Sequence, residues 1–246
     1  MLENKNVVIT GAGGGLGREL AKAFCEKGAN VFGIGRSVET LNETEKEVSG
    51  GCFKAMVVDV SDFMAVEKVV AHILDEQQKI DIWFNNAAVY PKVNFMDESA
   101  DAWASALNIN MSGVANCCKA VLPSMIKHNT GKIFNLGSWA HLGPIADSAV
   151  YSATKGGVHV LTKAIGIDLA SAYPQANVEV HEWIPGHLNT QMSEYTGMEP
   201  SLAAAWAVDI ATRPASKRNC IFEQNWEWQP PKSLLGKIKS KLLFWK

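Results

Sequence analysis

Two side chains that could exchange a proton lie four residues apart at the start of a long helical pattern. Tyr151 and Lys155 belong to the segment Tyr-Ser-Ala-Thr-Lys, and a spacing of four places both on one face of a helix. An ammonium beside a phenol stabilises the phenolate and lowers its pKa from about 10. A tyrosine tuned in this way can give or take a proton near neutral pH. We therefore expect Tyr151 to act as proton donor or acceptor for a reacting oxygen.

A serine stands where it could share that oxygen. Ser138 precedes Tyr151 by thirteen residues and ends the strand-like segment Phe-Asn-Leu-Gly-Ser. Ligands of open parallel sheets bind at the carboxyl ends of the strands, so Ser138 and the Tyr151–Lys155 pair are predicted to meet there. A Tyr-x-x-x-Lys pair alone occurs on many helices by chance, and Ser138 at this distance makes the pattern specific.

A glycine-rich turn near the N-terminus is suited to a pyrophosphate. The run Thr-Gly-Ala-Gly-Gly-Gly-Leu-Gly, residues 10–17, follows the first strand-like segment and opens the first helix. Residues without a Cβ let the backbone approach the phosphates, and the helix N-terminus presents free N–H groups and a positive dipole. The key glycines are Gly11, Gly15 and Gly17. Their spacing, Gly-x-x-x-Gly-x-Gly, differs from the common Gly-x-Gly-x-x-Gly spacing.

The next two strands predict how an adenosine would be read. After the second strand the sequence is Gly-Ile-Gly-Arg-Ser, with no acid before Glu39. Arg36 offers a planar fork that suits a 2′-phosphate and favours NADP(H), although an arginine stacked on adenine and exposed to solvent is a serious alternative. Asp59 and Val60 end the third strand and would meet the adenine edge, unless Asp59 simply caps the following helix.

Short apolar segments alternate with longer amphipathic ones along almost the whole chain. The predicted strands are residues 6–10, 30–35, 53–58, 80–85, 132–137, 178–184 and 219–222, and the predicted helices are residues 17–27, 39–48, 64–77, 100–128, 152–173 and 199–212. This alternation predicts an α/β fold with a doubly wound, mainly parallel sheet of about seven strands and helices on both faces. No linker interrupts it, so we expect one domain over residues 1–231.

Composition narrows the class of protein. The 246 residues are 47 % hydrophobic and carry a formal net charge of −2, which gives no sign of nucleic-acid binding. The five cysteines are unpaired in spacing and show no metal pattern, which predicts buried free thiols and no metal site. A polar N-terminus and the absence of a long apolar run predict a cytoplasmic protein.

These landmarks together resemble the short-chain dehydrogenase/reductase family, over roughly residues 5–225. The resemblance rests on the glycine turn, Asp59, the segment Asn-Asn-Ala-Ala at residues 85–88, Asn110, Ser138, Tyr151, Lys155, the Pro185–Gly186 pair and Thr190. It implies an NAD(P)(H)-dependent oxidoreductase that interconverts a carbonyl and a secondary alcohol. It also implies a homodimer or homotetramer. The family usually has glycine where this chain has Ala88, which could shift the nicotinamide slightly.

The resemblance also assigns roles to individual residues. Ser138 and Tyr151 would hydrogen-bond the substrate oxygen, Lys155 would bind the nicotinamide ribose and tune Tyr151, and Asn110 would hold a water of a proton relay. The residues expected to contact the dinucleotide are Thr10, Gly11, Gly13, Gly14, Gly15, Leu16, Gly17, Arg36, Asp59, Val60, Asn86, Ala87, Tyr151, Lys155, Pro185, Gly186 and Thr190.

Large apolar side chains near these positions suggest a small apolar substrate. The candidates for a substrate bowl are Tyr90, Trp139, Trp183, Met192, Tyr195, Met198 and Trp206, although packing of a helical lid would explain most of them equally well. His141 and His187 would flank the same pocket. The rival hypothesis from another class is a non-catalytic dinucleotide-sensing or scaffold protein on the same fold.

The last fifteen residues differ in character from the rest. Residues 232–246 contain five lysines and no acid, and a helical stripe of apolar residues would make this tail amphipathic. We expect it to dock on a neighbouring subunit or to stay disordered, with peripheral membrane contact as the minority hypothesis.

Overall fold

The computed structural model describes residues 2–48 and 51–229 of the chain. Its strands are β1 (Asn6–Thr10), β2 (Asn30–Gly35), β3 (Phe53–Val57), β4 (Ile82–Asn85), β5 (Gly131–Leu136), β6 (Val178–Ile184), β7 (Ile221–Glu223) and β8 (Trp226–Trp228). Its α-helices are α1 (Gly15–Glu26), α2 (Val38–Glu47), α3 (Phe63–Gln77), α4 (Ala100–Leu107), α5 (Gly113–Lys127), α6 (Ala149–Ala172) and α7 (Pro200–Thr212).

One sheet runs through the described residues in the order β3-β2-β1-β4-β5-β6-β7-β8. Every neighbouring pair is parallel except β7 and β8, which form an antiparallel hairpin. The order reverses direction between β1 and β4, which is the point where ligands of doubly wound sheets bind. The predicted doubly wound α/β fold is therefore confirmed.

Apolar side chains cover both faces of the sheet. One core cluster joins the sheet to α1 and α7, with Leu20, Phe24 and Ile210 fully buried. The other joins it to α3, α5 and α6, with Ile73 and Val121 at its centre. Central strands buried on both faces explain why their sequences read as continuous apolar runs instead of alternating ones.

Two elements differ from the sequence prediction. The single helix expected over residues 100–128 is interrupted by a π-helical turn at Asn108–Ser112, a feature that apolar periodicity does not reveal. The segment Trp226–Trp228 pairs with β7 as an extra edge strand. The sequence did not predict it, because a three-residue strand is too short to show alternation.

The cysteine prediction is partly wrong. Cys25, at the end of α1, forms a disulfide with Cys52, just before β3, with the two Cα atoms 5.8 Å apart. Cys117, Cys118 and Cys220 are buried free thiols, as expected. The pair was missed because the two residues are 27 positions apart in sequence and meet only once β2 and β3 pair.

Two expectations concern segments at the margins of the description. The tail 232–246 and the proposed boundary after residue 231 lie outside the described residues. None of the helices in the part of the chain that the structure describes is long and apolar enough to span a membrane. Within the same part, no group of three or more His, Cys, Asp or Glu side chains could hold a metal ion.

Candidate active site

The structure brings Ser138, Tyr151 and Lys155 together beyond the carboxyl end of β5. Ser138 lies two residues after the end of this strand, and its hydroxyl accepts a hydrogen bond from Ala140 N at 3.1 Å. Tyr151 and Lys155 lie on successive turns of α6, with the Lys155 Nζ 5.5 Å from the centre of the Tyr151 ring. Lys155 Nζ donates a 2.8 Å hydrogen bond to the carbonyl oxygen of Leu136, at the end of β5. Strand and helix thus fix all three side chains.

The acidity of Tyr151 is set differently from the sequence expectation. Burial raises the pKa of the phenol, the Ser138 hydroxyl opposes the rise as a hydrogen-bond partner, and Tyr90 adds to it. The expectation that Lys155 lowers the Tyr151 pKa is not met, because Lys155, with a pKa of about 8, has lost its charge before Tyr151 titrates. In this arrangement Tyr151 is a protonated phenol at neutral pH, which suits a proton donor.

Lys155 is a completely buried amine with an unusual acidity. Burial lowers its pKa to about 8, and the charge of Glu182 on β6 acts in the opposite direction. A buried ammonium is costly unless hydrogen bonds or opposite charges compensate it. Lys155 is therefore close to losing its proton under ordinary conditions.

Asn110 lies within the π-helical turn and is 1 % exposed. Its Oδ1 accepts from the backbone N–H of Val89 at 2.8 Å, and its Nδ2 donates to the Val89 carbonyl at 2.8 Å and to Thr154 Oγ1 at 3.2 Å. Both amide hydrogens are thus used by protein groups. The side chain clamps the loop after β4 to α6, next to Tyr90, which stacks on Tyr151 at a centroid distance of 4.5 Å.

The glycine turn has the shape expected of a phosphate cradle. Gly11 and Gly15 have φ angles of +68° and +50°, which favour glycine. A Cβ on Gly17 would collide with the carbonyl oxygen of Gly11, whereas a Cβ on Gly14 would meet no atom within 4 Å. No side chain caps the N-terminus of α1 at Gly14. The exposed backbone beside Gly14 and the uncapped N–H groups fit a dinucleotide pyrophosphate.

Polar contacts hold that turn in place from both sides. The Thr10 hydroxyl accepts hydrogen bonds from the backbone N–H groups of Asn86 and Ala87, each at 3.0 Å. Asn86 Nδ2 donates to the carbonyl oxygen of Thr10 at 2.8 Å. On the other side, Ala12 is buried, a Cβ on Gly13 would collide with Thr40 on α2, and Leu16 packs into the core.

The residues expected to read adenosine lie together at the ends of β2 and β3. Arg36 is exposed after β2. Burial tends to raise the Asp59 pKa, but hydrogen bonds from the Ser61 N–H and hydroxyl and the Arg36 charge outweigh it and lower the pKa. Val60 is 7 % exposed. Asp59 does not cap α3, since Asp62 takes that role by accepting from Ala65 N at 3.1 Å.

The loop after β6 reaches back to the glycine turn. Pro185 is buried and Gly186 has a φ of +100°. A Cβ on Gly15 would lie 3.3 Å from the Thr190 methyl group, so Thr190 borders the cradle. The loop after β6 and the glycine turn therefore lie side by side at the carboxyl edge of the sheet.

The aromatic bowl is only partly where the sequence placed it. Trp183 is fully buried in the core and Trp206 packs against it. Trp139 turns away, with its Nε1 donating to Glu223 at 2.9 Å. Exposed apolar side chains that the sequence analysis missed lie on the loops after β4 and β5, and Tyr195 adds another on the loop after β6; the missed ones are Phe95, Met96, Leu142 and Ile145.

The loops after β4 and β6 are also joined by an ion pair. Lys92 Nζ lies 2.6 Å from Glu194 Oε1, and it lies 5.9 Å from the centre of the Tyr90 ring. His187 bonds Thr196 at 2.9 Å and is exposed. Lys92 and Glu194 lie in loops that carry no periodic pattern, which is why the sequence did not indicate them.

The chain is similar to known proteins in both sequence and fold. Residues 5–200 match the family model described as short chain dehydrogenase. A curated relative, the meso-2,3-butanediol dehydrogenase of Serratia marcescens, is 33 % identical over 78 % of this chain and 74 % of its own.

Two solved structures are similar throughout. A metagenomic short-chain oxidoreductase in complex with NADP has a TM-score of 0.79 and 26 % identity, covering 92 % of this chain and 99 % of its own. The 3-ketoacyl-(acyl-carrier-protein) reductase from Brucella melitensis, complexed with NADH, has a TM-score of 0.82 and 25 % identity, covering 91 % and 97 %.

Proposed function

The chain belongs to the short-chain dehydrogenase family, and on that premise we propose that it interconverts a ketone and a secondary alcohol with NADP(H). The observation that carries the proposal is the assembly of Ser138, Tyr151 and Lys155 beside the glycine turn, at one edge of the sheet. The family match confirms the resemblance inferred from the sequence at the level of the family. The substrate and the catalytic roles are the parts that we propose.

The proposed chemistry assigns one task to each side chain. The dinucleotide, when bound, supplies or accepts the hydride. Ser138 and Tyr151 hold the substrate oxygen, and in the reduction the Tyr151 hydroxyl gives its proton to that oxygen. Lys155 in its charged form stabilises the phenolate that Tyr151 leaves behind. Asn110 keeps Val89 and α6 in register through its hydrogen bonds.

We propose NADP(H) as the preferred dinucleotide, with NAD(H) as the alternative. Arg36 stands at the end of β2 close enough to Asp59 to influence its acidity. Its fork suits a 2′-phosphate. Glu39 on the first turn of α2 works against this preference, since the hydrogen bond from the Ser37 hydroxyl at 2.7 Å lowers its pKa and keeps it charged. One similar structure was solved with NADP and another with NADH. The choice between the two dinucleotides therefore has to be argued from the side chains of this chain.

We propose an apolar substrate because the loops around Tyr151 present apolar side chains. Phe95, Met96, Leu142, Ile145 and Tyr195 are all more than half exposed. Their loops follow β4, β5 and β6, whose carboxyl ends meet at the same edge of the sheet. A ketone with a hydrocarbon body would bury this surface.

Binding of the dinucleotide is the first test. NADPH and NADH are titrated separately, with nicotinamide fluorescence and thermal stability as readouts. We expect tighter binding of NADPH, and Arg36→Ala should weaken it about tenfold or more, as loss of a charged hydrogen bond predicts. Lys46→Ala removes an exposed charge from the last turn of α2, the helix that follows Arg36, and should change nothing. Equal affinities for NADPH and NADH in the wild-type chain, Arg36→Ala and Lys46→Ala would refute the NADP preference.

Turnover is the second test. The probes are meso-2,3-butanediol with NADP+ and a 3-oxoacyl thioester with NADPH, which represent the activities named for two relatives. A longer acyl chain should be turned over better than a short one if the apolar loops contact the substrate. Binding of NADPH without turnover of any alcohol or ketone would favour the dinucleotide-sensing alternative.

Assembly and location complete the proposal. We propose a homodimer or homotetramer in the cytoplasm, with a small-molecule substrate and no nucleic-acid partner. Light scattering on the purified chain measures its mass directly. A monomer at micromolar concentration would contradict the proposed assembly.

A further inference from the structure

A carboxylate lies buried on the α6 side of the sheet, beside the strand end that holds Lys155. Glu182 on β6 is 1 % exposed and accepts a 2.6 Å hydrogen bond from His159 Nδ1 on α6. Its other oxygen, Oε1, occupies the space over Gly137, where a Cβ would collide with it. Gly137 links Leu136, whose carbonyl receives Lys155, to Ser138. The ammonium and the carboxylate therefore contact neighbouring residues, Leu136 and Gly137, of the same strand end.

The two oxygens of Glu182 are treated differently by the protein. Oε2 is bonded to His159, whose Nε2 lies 2.7 Å from Lys163 Nζ. Oε1 is buried and has no hydrogen-bond partner among the residues that the structure describes. An orphaned buried carboxylate oxygen is expensive, so a nearby positive charge is needed to offset it. The positive charge on which Glu182 acts is the Lys155 ammonium.

We propose that Glu182, anchored by His159, is the buried counter-charge of the Lys155 ammonium and hence a positioning residue for the reaction. The proposal rests on the function proposed above for Lys155. It goes beyond that function because it assigns work to two residues that touch neither substrate nor dinucleotide. It also explains Gly137, since any larger residue would displace the carboxylate from its place.

Other charged groups around Glu182 are accounted for by contacts of their own. From α6, Lys155, His159 and Lys163 face it, and the ring of His141 stacks on His159 at 4.5 Å. Glu223 on β7 is bonded to Trp139, and Glu227 on β8 to the backbone N–H of Ser216 at 3.1 Å. On the opposite face of β6, Glu179 bonds His181 at 2.8 Å and lies 3.4 Å from Lys132. Lys155 is thus the buried lysine on whose ammonium the Glu182 charge acts.

The sign of the effect follows from burial. The pKa of Lys155 is lowered to about 8 by burial, and Glu182 holds it up. Replacing the carboxylate with an amide removes the opposing charge, so Lys155 loses its proton at lower pH. The pH above which kcat/KM declines should therefore move down by about one unit in Glu182→Gln, the lower end of the range for a nearby opposite charge.

The first experiment compares pH profiles of kcat/KM for the 3-oxoacyl thioester with NADPH. Glu182→Gln should shift the alkaline limb to lower pH, while Glu179→Gln, on the same strand but the other face, should leave it in place. His159→Ala should resemble Glu182→Gln, because it removes the hydrogen bond that anchors the carboxylate at the strand end. His159→Gln retains an N–H donor and should restore much of the wild-type profile.

The second experiment needs no turnover. Thermal midpoints are measured for Lys155→Met, Glu182→Gln and the double variant. Each single variant leaves one buried group without its partner, so the double variant should lose less than the sum of the two. Additive losses would overturn the pairing, as would an unmoved alkaline limb in an active Glu182→Gln. If the wild-type chain turns over no probe, the proposed function fails, and the thermal cycle still decides whether Lys155 and Glu182 are paired.

Discussion

The two halves of the site are built by opposite means. The dinucleotide side, around β1, β2 and α1, is shaped by what is missing: glycines without Cβ atoms and a helix N-terminus without a side-chain cap. The proposed catalytic side, around β5, β6 and α6, is shaped by buried polar groups such as Asn110, Lys155 and Glu182. One half works through backbone shape, the other through charge in a place where charge is expensive.

This difference predicts which kind of substitution disrupts each half of the site. A backbone cradle fails when atoms are added, because the space is already occupied by other backbone. A buried charge network fails when atoms are removed, because a partner is then left uncompensated. Substitutions of the two kinds should therefore separate dinucleotide binding from turnover.

The largest separation is expected from Tyr151→Phe. Loss of the phenol hydroxyl removes the proposed proton donor while preserving the ring that stacks on Tyr90. General acid catalysis is typically worth about 10²–10⁴-fold, so kcat should fall about 1,000-fold, and the NADPH dissociation constant should stay the same. Steady-state kinetics and fluorescence titration measure the two quantities.

Tyr90→Phe is the matched control for that variant. It removes the other hydroxyl of the same stacked pair, and the Tyr90 hydroxyl has no proposed part in proton transfer. Turnover close to that of the wild-type chain is expected. If Tyr90→Phe were the inactive variant and Tyr151→Phe the active one, the proton donor would have been assigned to the wrong phenol.

The cradle should respond to added atoms at Gly17. A methyl group there would collide with the Gly11 carbonyl, and such overpacking costs about 2–3 kcal/mol. Gly17→Ala should therefore lose both stability and NADPH binding, as measured by urea unfolding and fluorescence titration.

Gly14→Ala tests the same half without the collision. Nothing lies within 4 Å of the added Cβ, so the free energy of unfolding should change by less than about 0.5 kcal/mol. NADPH affinity should nevertheless fall, by about tenfold if the phosphates approach this backbone. Unchanged affinity in a stable Gly14→Ala would place the pyrophosphate elsewhere.

The sequence predicted the backbone-shaped half more completely than the charge-shaped half. Glycines between a strand and a helix are a local signal, so the turn at residues 10–17 could be recognised and its position between β1 and α1 predicted. The central strands were equally accessible, because β1, β2 and β6 begin and end as the apolar runs predicted. Register with neighbouring strands then follows from the fold.

The charge-shaped half depends on contacts that sequence spacing does not encode. Glu182 and His159 are 23 residues apart and meet only because β6 lies beneath α6. Apolar periodicity does not distinguish the π-helical turn that presents Asn110 from an α-helix. The Cys25–Cys52 pair was missed for the same reason, whereas strand β8 was missed because three residues are too few to show alternation. Tyr151, Lys155 and Ser138 were found because helical spacing and a strand end made them locally visible.

A smaller effect is expected where the polar half is held by hydrogen bonds alone. Asn110→Ala deletes two bonds to the Val89 backbone, and each unsatisfied group costs about 1–3 kcal/mol if it stays buried. Val89 is only partly buried, so we expect about 1–2 kcal/mol in urea unfolding. Asn116→Ala, which deletes a 3.0 Å bond to the Val60 carbonyl at a partly exposed position, should cost less. Equal losses would deny Asn110 its clamping role.

The smallest effect is a pH dependence that only one half should show. Lys155 has a pKa of about 8, so it is mostly protonated at pH 7 and mostly neutral above pH 8.5. If the proposed reaction requires the ammonium, kcat/KM should fall about fourfold between pH 7 and pH 8.5. NADPH affinity should change less, since the glycine turn contains no group that titrates in this range. A parallel decline of affinity and turnover would show that Lys155 acts mainly on the dinucleotide, and the division between the two halves would have to be redrawn through that residue.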